Sequence, residues 1–168
     1  LFSGGGNDIV STNLPVLLRT YKDGDTWEDC LNMPRFSRRL QEIENCYRDL
    51  ADLRDDYQPE AWIFTHAYDY AIPSGKGIKI LGIEAAGGWI KEVMDARKIP
   101  GKLQQEILNH MLASLDDMLL KLEQTHDKWR HVRTQGTLAD NEWHDELHPT
   151  TQGFKKVAAK FQSALIDV

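Results

Sequence analysis

Apolar residues recur at helical spacing in three long stretches of the chain. The first predicts a helix over residues 33–55, with Pro34 in its first turn, where the missing N–H costs no hydrogen bond. A second long helix and a last helix, N-capped by Thr151, follow further along, and a shorter helix is predicted over residues 89–97. The three apolar faces consist of Phe36, Leu40, Ile43, Tyr47 and Leu50; of Leu103, Ile107, Met111, Leu115, Met118, Leu119 and Leu122; and of Phe154, Val157, Ala158, Phe161 and Leu165.

Three short apolar or β-branched runs predict strands between these helices. Residues 1–3 fit the end of a buried strand, residues 61–65 form a second, and residues 128–134 a third with a weaker pattern. The alternation of strands and helices predicts a parallel sheet covered by helices on both faces, an α/β sandwich. Ligands in such folds bind at the C-terminal ends of the strands. The loops expected there are residues 4–8, 66–77 and 135–149.

Composition narrows the classes of partner. With 168 residues, 41% hydrophobic and 27% charged, the chain fits one globular domain. The net charge of −6 argues against nucleic acid as a partner, because nucleic-acid-binding surfaces are basic. No apolar run reaches the roughly 18 residues expected of a membrane span. Cys30 and Cys46 fit a disulfide or two free thiols, so they leave the cellular compartment open.

The loop after the first strand holds three glycines followed by Asn7 and Asp8. Glycines allow a ligand to approach main-chain N–H groups closely. A phosphate-binding loop is one interpretation, although no Gly-Lys-Ser/Thr signature follows. A tight strand-exit turn, with Asn7 or Asp8 capping a short helix, is another. In a third, the Asn7 side chain donates a hydrogen bond to an oxyanion.

Two histidines and an aspartate fall within five residues before the last helix. His144 and His148 have the i, i+4 spacing of a helical zinc pair, but Pro149 disfavours helix at His148, and Asp145 replaces the expected glutamate. Alternatively, Asp145 accepts a hydrogen bond from the imidazole of His148 and leaves the other ring nitrogen free as a general base. A third interpretation is an Asp–His pair that only caps the last helix.

Taken in order, four short motifs resemble those of the SGNH hydrolases, the GDSL-type esterases and lipases. The Gly-x-Asn-Asp block of that family corresponds to Gly5-Gly6-Asn7-Asp8, and its Asp-x-x-His block to Asp145-Glu146-Leu147-His148, followed by Pro149. The segments Thr65-His66-Ala67-Tyr68-Asp69-Tyr70 and Gly87-Gly88-Trp89-Ile90 also look like the family's loops. The resemblance extends from one end of the chain to the other.

The resemblance implies a fold, an activity and a set of site residues. The fold would be a flavodoxin-like, three-layer α/β/α sandwich whose parallel strands run in the order 2-1-3-4-5. The activity would be hydrolysis of a small-molecule ester through an acyl-serine intermediate, without metal or organic cofactor. His148 would be the base and Asp145 the acid, and the oxyanion hole would include Asn7 and Gly5. Candidates for the substrate loops are Asp8, His66, Tyr68 and Trp143.

The chain departs from the family pattern because no Gly-Asp-Ser nucleophile block is present. None of the six serines follows Gly-Asp, and among them Ser74 is the candidate stand-in. We therefore expect residues 1–168 to be the C-terminal part of a single SGNH domain, contributing strands 3–5. The nucleophile would lie upstream, in a longer polypeptide or a companion N-terminal fragment. A non-catalytic binding module and a His144/His148 metal hydrolase are the alternatives, and the ester itself stays open.

Overall fold

In a computed structural model of the chain, residues 1–10, 13–80, 83–86 and 88–167 are described. The described residues form a mixed α/β structure that is mostly helical. Seven α-helices are present in this part of the chain: α1 (Gly6–Val10), α2 (Leu14–Leu17), α3 (Trp27–Cys30), α4 (Met33–Tyr57), α5 (Lys91–Ala96), α6 (Gly101–Thr125) and α7 (Thr151–Ile166).

The long predicted helices are present, with small shifts at their ends. The first ends at Tyr57 rather than at residue 55, and α5 is shorter than the predicted 89–97. The N-cap of α7 is Thr150 rather than Thr151, because the Thr150 side chain accepts a hydrogen bond from the backbone N–H of Gly153. The prediction placed the cap one residue too late since both threonines have the same capping chemistry.

The strands are shorter than the sequence predicts. β1 (Ile63–Thr65) pairs in parallel with β4 (Trp129–His131), and the first predicted strand is reduced to a single parallel bridge between Phe2 and Thr65. A hairpin of β2 (Ile78–Ile80) and β3 (Ile83–Ala86) was not predicted. The described elements thus contain parallel pairing in the predicted order, but in a two-stranded sheet with one added bridge rather than in a complete three-layer sandwich.

Helices α4 and α6 supply most of the core beside the parallel strands. The apolar face of α6 is completely buried at Ile107, Met111, Leu115 and Leu119. α4 contributes Phe36, Ile43 and Tyr47, and α1 packs against both helices through Ile9 and Val10. Burial of these apolar faces is the main stabilising contribution. It also holds the glycine turn, from which α1 starts, against α4 and α6, since the nearest side chains to Gly5 are Ile43 and Leu115.

A buried arginine joins the end of α4 to the starts of the two parallel strands. The guanidinium of Arg54 donates hydrogen bonds to the backbone carbonyls of Ala61 (2.9 Å), Asp127 (2.8 Å) and Lys128 (3.1 Å). Its Nε also contacts the carboxylate of Asp55 at 2.5 Å. Because Arg54 is only 8% exposed, these contacts satisfy a charge that would otherwise be costly to bury.

An apolar groove lies beside the Phe2 bridge. It encloses about 430 Å³ between Phe2 and the outer part of α4, where Ile43, Tyr47, Leu50 and Leu53 line it. Phe2 and Leu53 remain 45% and 55% exposed. A partly exposed apolar surface therefore lies next to the bridge between Phe2 and Thr65.

Both cysteines lie in the part of the chain that the structure describes. Cys30 is buried and Cys46 is exposed, and both are free thiols. None of the helices in the described part of the chain has the length and apolar character needed to cross a bilayer.

Candidate functional site

Asp145 and His148 face each other within one turn of the loop that precedes α7. The imidazole Nδ1 lies 3.0 Å from Oδ1 and 2.9 Å from Oδ2 of the carboxylate. Asp145 is buried, whereas the side chain of His148 is 53% exposed. The pair therefore has one member fixed inside the protein and one that solvent and ligands reach.

The carboxylate of Asp145 is held ionised by its surroundings. Burial opposes ionisation, but the backbone N–H groups of Leu147 and His148 donate to Oδ1 at 2.8 Å each, and the imidazole adds a further bond. These hydrogen bonds outweigh burial and lower the pKa of Asp145 below its ordinary value. Since an ionised carboxylate only accepts hydrogen bonds, Nδ1 of His148 carries the proton and Nε2 is the nitrogen available as a base.

Asn7 and His148 line the same cleft, although they are 141 positions apart in the sequence. The cleft encloses about 290 Å³. Ser3, His66, Tyr68 and Asp69 also line it, together with an apolar wall formed by Leu138, Trp143, Leu147, Phe154 and Val157. Hydrogen-bonding groups and an imidazole thus meet an apolar surface, as is usual in small-molecule sites.

The third glycine of the turn is required by its contact with Tyr68. A β-carbon on Gly6 would lie 2.1 Å from Cε2 of the Tyr68 ring, so a larger residue would displace that ring. Gly6 also begins α1, and Asn7 is therefore in the first turn of a short helix at the mouth of the cleft. A strand-exit turn followed by a short helix, one of the alternatives from the sequence, is present here, but Asn7 and Asp8 lie inside α1 and do not cap it.

Two predicted site residues lie elsewhere. Gly5, in a left-handed conformation (φ 85°), and Asp8 line the apolar groove beside α4 and not the cleft. Of the other substrate-loop candidates, His66, Tyr68 and Trp143 line the cleft. Burial lowers the pKa of His66, so its imidazole is neutral near pH 7, and its Nδ1 lies 2.9 Å from the carbonyl oxygen of Ala67.

Two buried carboxylates that the sequence did not single out hold the loops around the cleft. Asp69 accepts backbone hydrogen bonds from Gly136, Thr137 and Leu138, which ties the 66–77 loop to the 135–149 loop. Glu146, completely buried, accepts three more from the 66–77 loop and the start of α5. Carboxylates in loops are common, and only the folded chain shows which backbone groups they meet.

A second Asp–His pair is sealed inside the protein. Nε2 of His131 lies 2.9 Å from Oδ1 of Asp116, and Nδ1 lies 3.2 Å from the hydroxyl of Thr65. The side chains of both partners in the pair are fully buried. Because a reacting group cannot reach this pair, it stabilises the junction of β1, β4 and α6 instead of offering a base to a ligand.

The segment between His144 and His148 is a loop and not a helix. Trp143 forms an antiparallel bridge with Pro149, and the N–H of His144 donates to the carbonyl of His148. Among the residues that the structure describes, no three His, Cys, Asp or Glu side chains group as metal ligands. The helical geometry that a His144/His148 zinc pair requires is therefore absent from this segment.

Two serines, Ser3 and Ser74, differ in their position relative to the cleft. Ser3 lines it, whereas Ser74 lies in the 66–77 loop, where its hydroxyl accepts from the backbone N–H of Lys76 and does not face the cleft. Ser11 and the first glycine of the Gly87-Gly88-Trp89-Ile90 motif lie outside the described residues.

Comparisons of the chain with protein-family models, with curated proteins and with solved structures found no match. The resemblance to SGNH hydrolases accordingly rests on the residues of the four motifs.

Proposed function

We propose that this chain is part of a serine carboxylic ester hydrolase of the SGNH type. The observation that carries the proposal is the buried, ionised Asp145 bonded to Nδ1 of the half-exposed His148, at the cleft that Asn7 also lines. This is the pairing that a general base needs for the correct tautomer and orientation.

Each residue has a defined part in the proposed acyl transfer. Nε2 of His148 takes the proton of a serine hydroxyl as its oxygen attacks the ester carbonyl carbon, and returns that proton to the departing alcohol. Asp145 stabilises the imidazolium formed in between. Asn7 donates a hydrogen bond to the tetrahedral oxyanion. Water then repeats the sequence on the acyl-serine and releases the acid.

The nucleophile belongs to polypeptide outside these 168 residues in this proposal. A three-layer sandwich with strand order 2-1-3-4-5 would place a further strand beside Phe2, where the apolar groove is open. A serine at the C-terminal end of that strand would lie at the same edge as Asn7 and His148, because parallel strands end at one edge of a sheet. The companion segment is thus the expected partner, and a small ester the substrate.

Labelling with a fluorophosphonate tests the proposal in the full-length polypeptide. This reagent reacts with activated serines, so we expect one serine to be labelled in the wild type and its labelling rate to fall by at least about 10³-fold in His148→Ala. Mass spectrometry identifies the labelled residue, which we expect outside residues 1–168. The matched control Ser3→Ala should label at the wild-type rate.

Two results would overturn the proposal or a part of it. A folded full-length protein without any labelled serine is the result expected of a non-catalytic binding module. Loss of labelling in Ser3→Ala would move the nucleophile into this chain and remove the need for an external segment.

A further inference from the structure

Glu146 fixes the start of α5 against the loop that carries His148. Its Oε2 accepts a hydrogen bond from the N–H of Ile90 at 2.8 Å, and its Oε1 accepts from Lys91 at 3.0 Å. Oε1 also accepts from the N–H of Gly75 at 2.9 Å. One buried carboxylate therefore joins the loop that carries His148 to the 66–77 loop and to the start of α5.

The contact between Glu146 and the backbone before α5 leaves no room for a side chain at Gly88. A β-carbon on Gly88 would lie 2.7 Å from the Cα of Gly75 and 2.9 Å from Oε2 of Glu146. The two backbones and the carboxylate are therefore packed directly together. This packing fixes the direction in which the next residue, Trp89, projects.

Trp89 projects towards His148. The indole and imidazole centroids are 6.0 Å apart, and their planes meet at 69° in an edge-on arrangement. That distance and angle are typical of a favourable aromatic pair. The imidazole is thus held by the Asp145 carboxylate at Nδ1 and bounded by the indole, while more than half of its side chain stays exposed.

We propose that Trp89 and Glu146 are positioning residues of His148. The indole restricts rotation of the imidazole about its hydrogen bond to Asp145, and Glu146 keeps the indole in place. Neither residue touches the reacting atoms. The proposal rests on the function proposed above, since the restricted ring would be the general base. A base held in the reactive orientation accelerates the chemical step without tightening substrate binding.

Kinetics of full-length variants on p-nitrophenyl acetate test the effect. We expect Trp89→Leu to lower kcat by about 10- to 100-fold, with KM within about twofold of the wild type. Trp89→Phe retains an aromatic ring and should recover most of the loss. The control is Glu142→Gln, a carboxylate of the same loop that bonds to Ala139 and Lys156 and not to the α5 turn, and its kcat should stay within about twofold.

A double-mutant cycle separates positioning from general destabilisation. If Glu146 acts through Trp89, Glu146→Gln lowers kcat in the wild type but has little further effect in Trp89→Leu. Additive losses in kcat would contradict the proposal for Glu146. Equal kcat in Trp89→Leu and the wild type, or equal losses in Trp89→Leu and Trp89→Phe, would contradict it for Trp89.

An NMR measurement keeps this inference distinct from the proposed activity. The Nδ1–H proton of His148 should exchange with water faster in Trp89→Leu and in Glu146→Gln than in the wild type and Glu142→Gln. If the wild type hydrolyses no ester, the proposed function fails, and the exchange rates still decide whether Trp89 and Glu146 hold the ring. Unchanged exchange in both variants would overturn the inference.

Discussion

At the scale of single residues, Asp145 shows how much depends on backbone contacts. The spacing Asp-x-x-His suggested the bond to His148, and the structure contains it. Two further hydrogen bonds, from the backbone N–H groups of Leu147 and His148, keep the carboxylate ionised. They depend on the path of the loop, which no residue pattern predicts. The same holds for Glu146, whose motif position predicts neither its complete burial nor its backbone partners.

Asp145→Asn should lower kcat by on the order of 10³- to 10⁴-fold, because an amide partner no longer favours the tautomer with its proton on Nδ1. We would measure kcat of the full-length polypeptide on p-nitrophenyl acetate. Asp140→Asn, an exposed carboxylate in the same loop, should retain wild-type turnover. A rate for Asp145→Asn within tenfold of wild type would remove Asp145 from the proposed mechanism.

The same carboxylate should make stability depend on acid pH. Because folding lowers the pKa of Asp145, its stabilising contribution is fully present above the unfolded value of about 3.9 and is lost as pH falls through the lower folded value. We therefore expect the difference in free energy of unfolding between wild type and Asp145→Asn to shrink from pH 5 to pH 2 in urea titrations. A constant difference would contradict this.

At the scale of elements, the helices were more predictable than the strands. α4 and α6 each contain 25 residues, and the regular apolar spacing predicts both helices almost to their ends. Three-residue strands carry too few positions for a pattern, so residues 128–134 predicted more strand than the three residues Trp129–His131 form. The strands β2 and β3 follow the predicted 66–77 loop, in a stretch for which the sequence predicted no element.

The apolar faces of α6 and α7 are buried to different extents, so we expect Leu→Ala substitutions to lower the free energy of unfolding more in α6 than in α7. Leu119 in α6 is completely buried, whereas Leu165 in α7 is 45% exposed. Leu119→Ala should therefore reduce the free energy of unfolding by about 2–5 kcal/mol, and Leu165→Ala by no more than about 1 kcal/mol. Urea unfolding of the two variants measures this difference. Equal losses would show that α7 is packed as tightly as α6.

At the scale of the whole molecule, Arg54 links helix and sheet. Arg54→Lys keeps the charge but lacks the planar set of donors that reaches three carbonyls at once. We expect it to lower the free energy of unfolding by about 1–3 kcal/mol. Arg48→Lys, on the same helix but in an exposed pair with Glu44, should change it by less than about 0.5 kcal/mol. Similar values for the two variants would contradict the role given to Arg54.

The proposed function depends most directly on His148, and a neighbouring histidine provides the control. His144 is exposed in the same loop, and its backbone rather than its ring contacts His148. The decisive measurement is kcat on p-nitrophenyl acetate for full-length His148→Ala and His144→Ala. We predict a loss of at least about 10³-fold for His148→Ala and a change within about threefold for His144→Ala. Near-normal turnover in His148→Ala, or equal losses in both variants, would contradict the role of His148 as the general base.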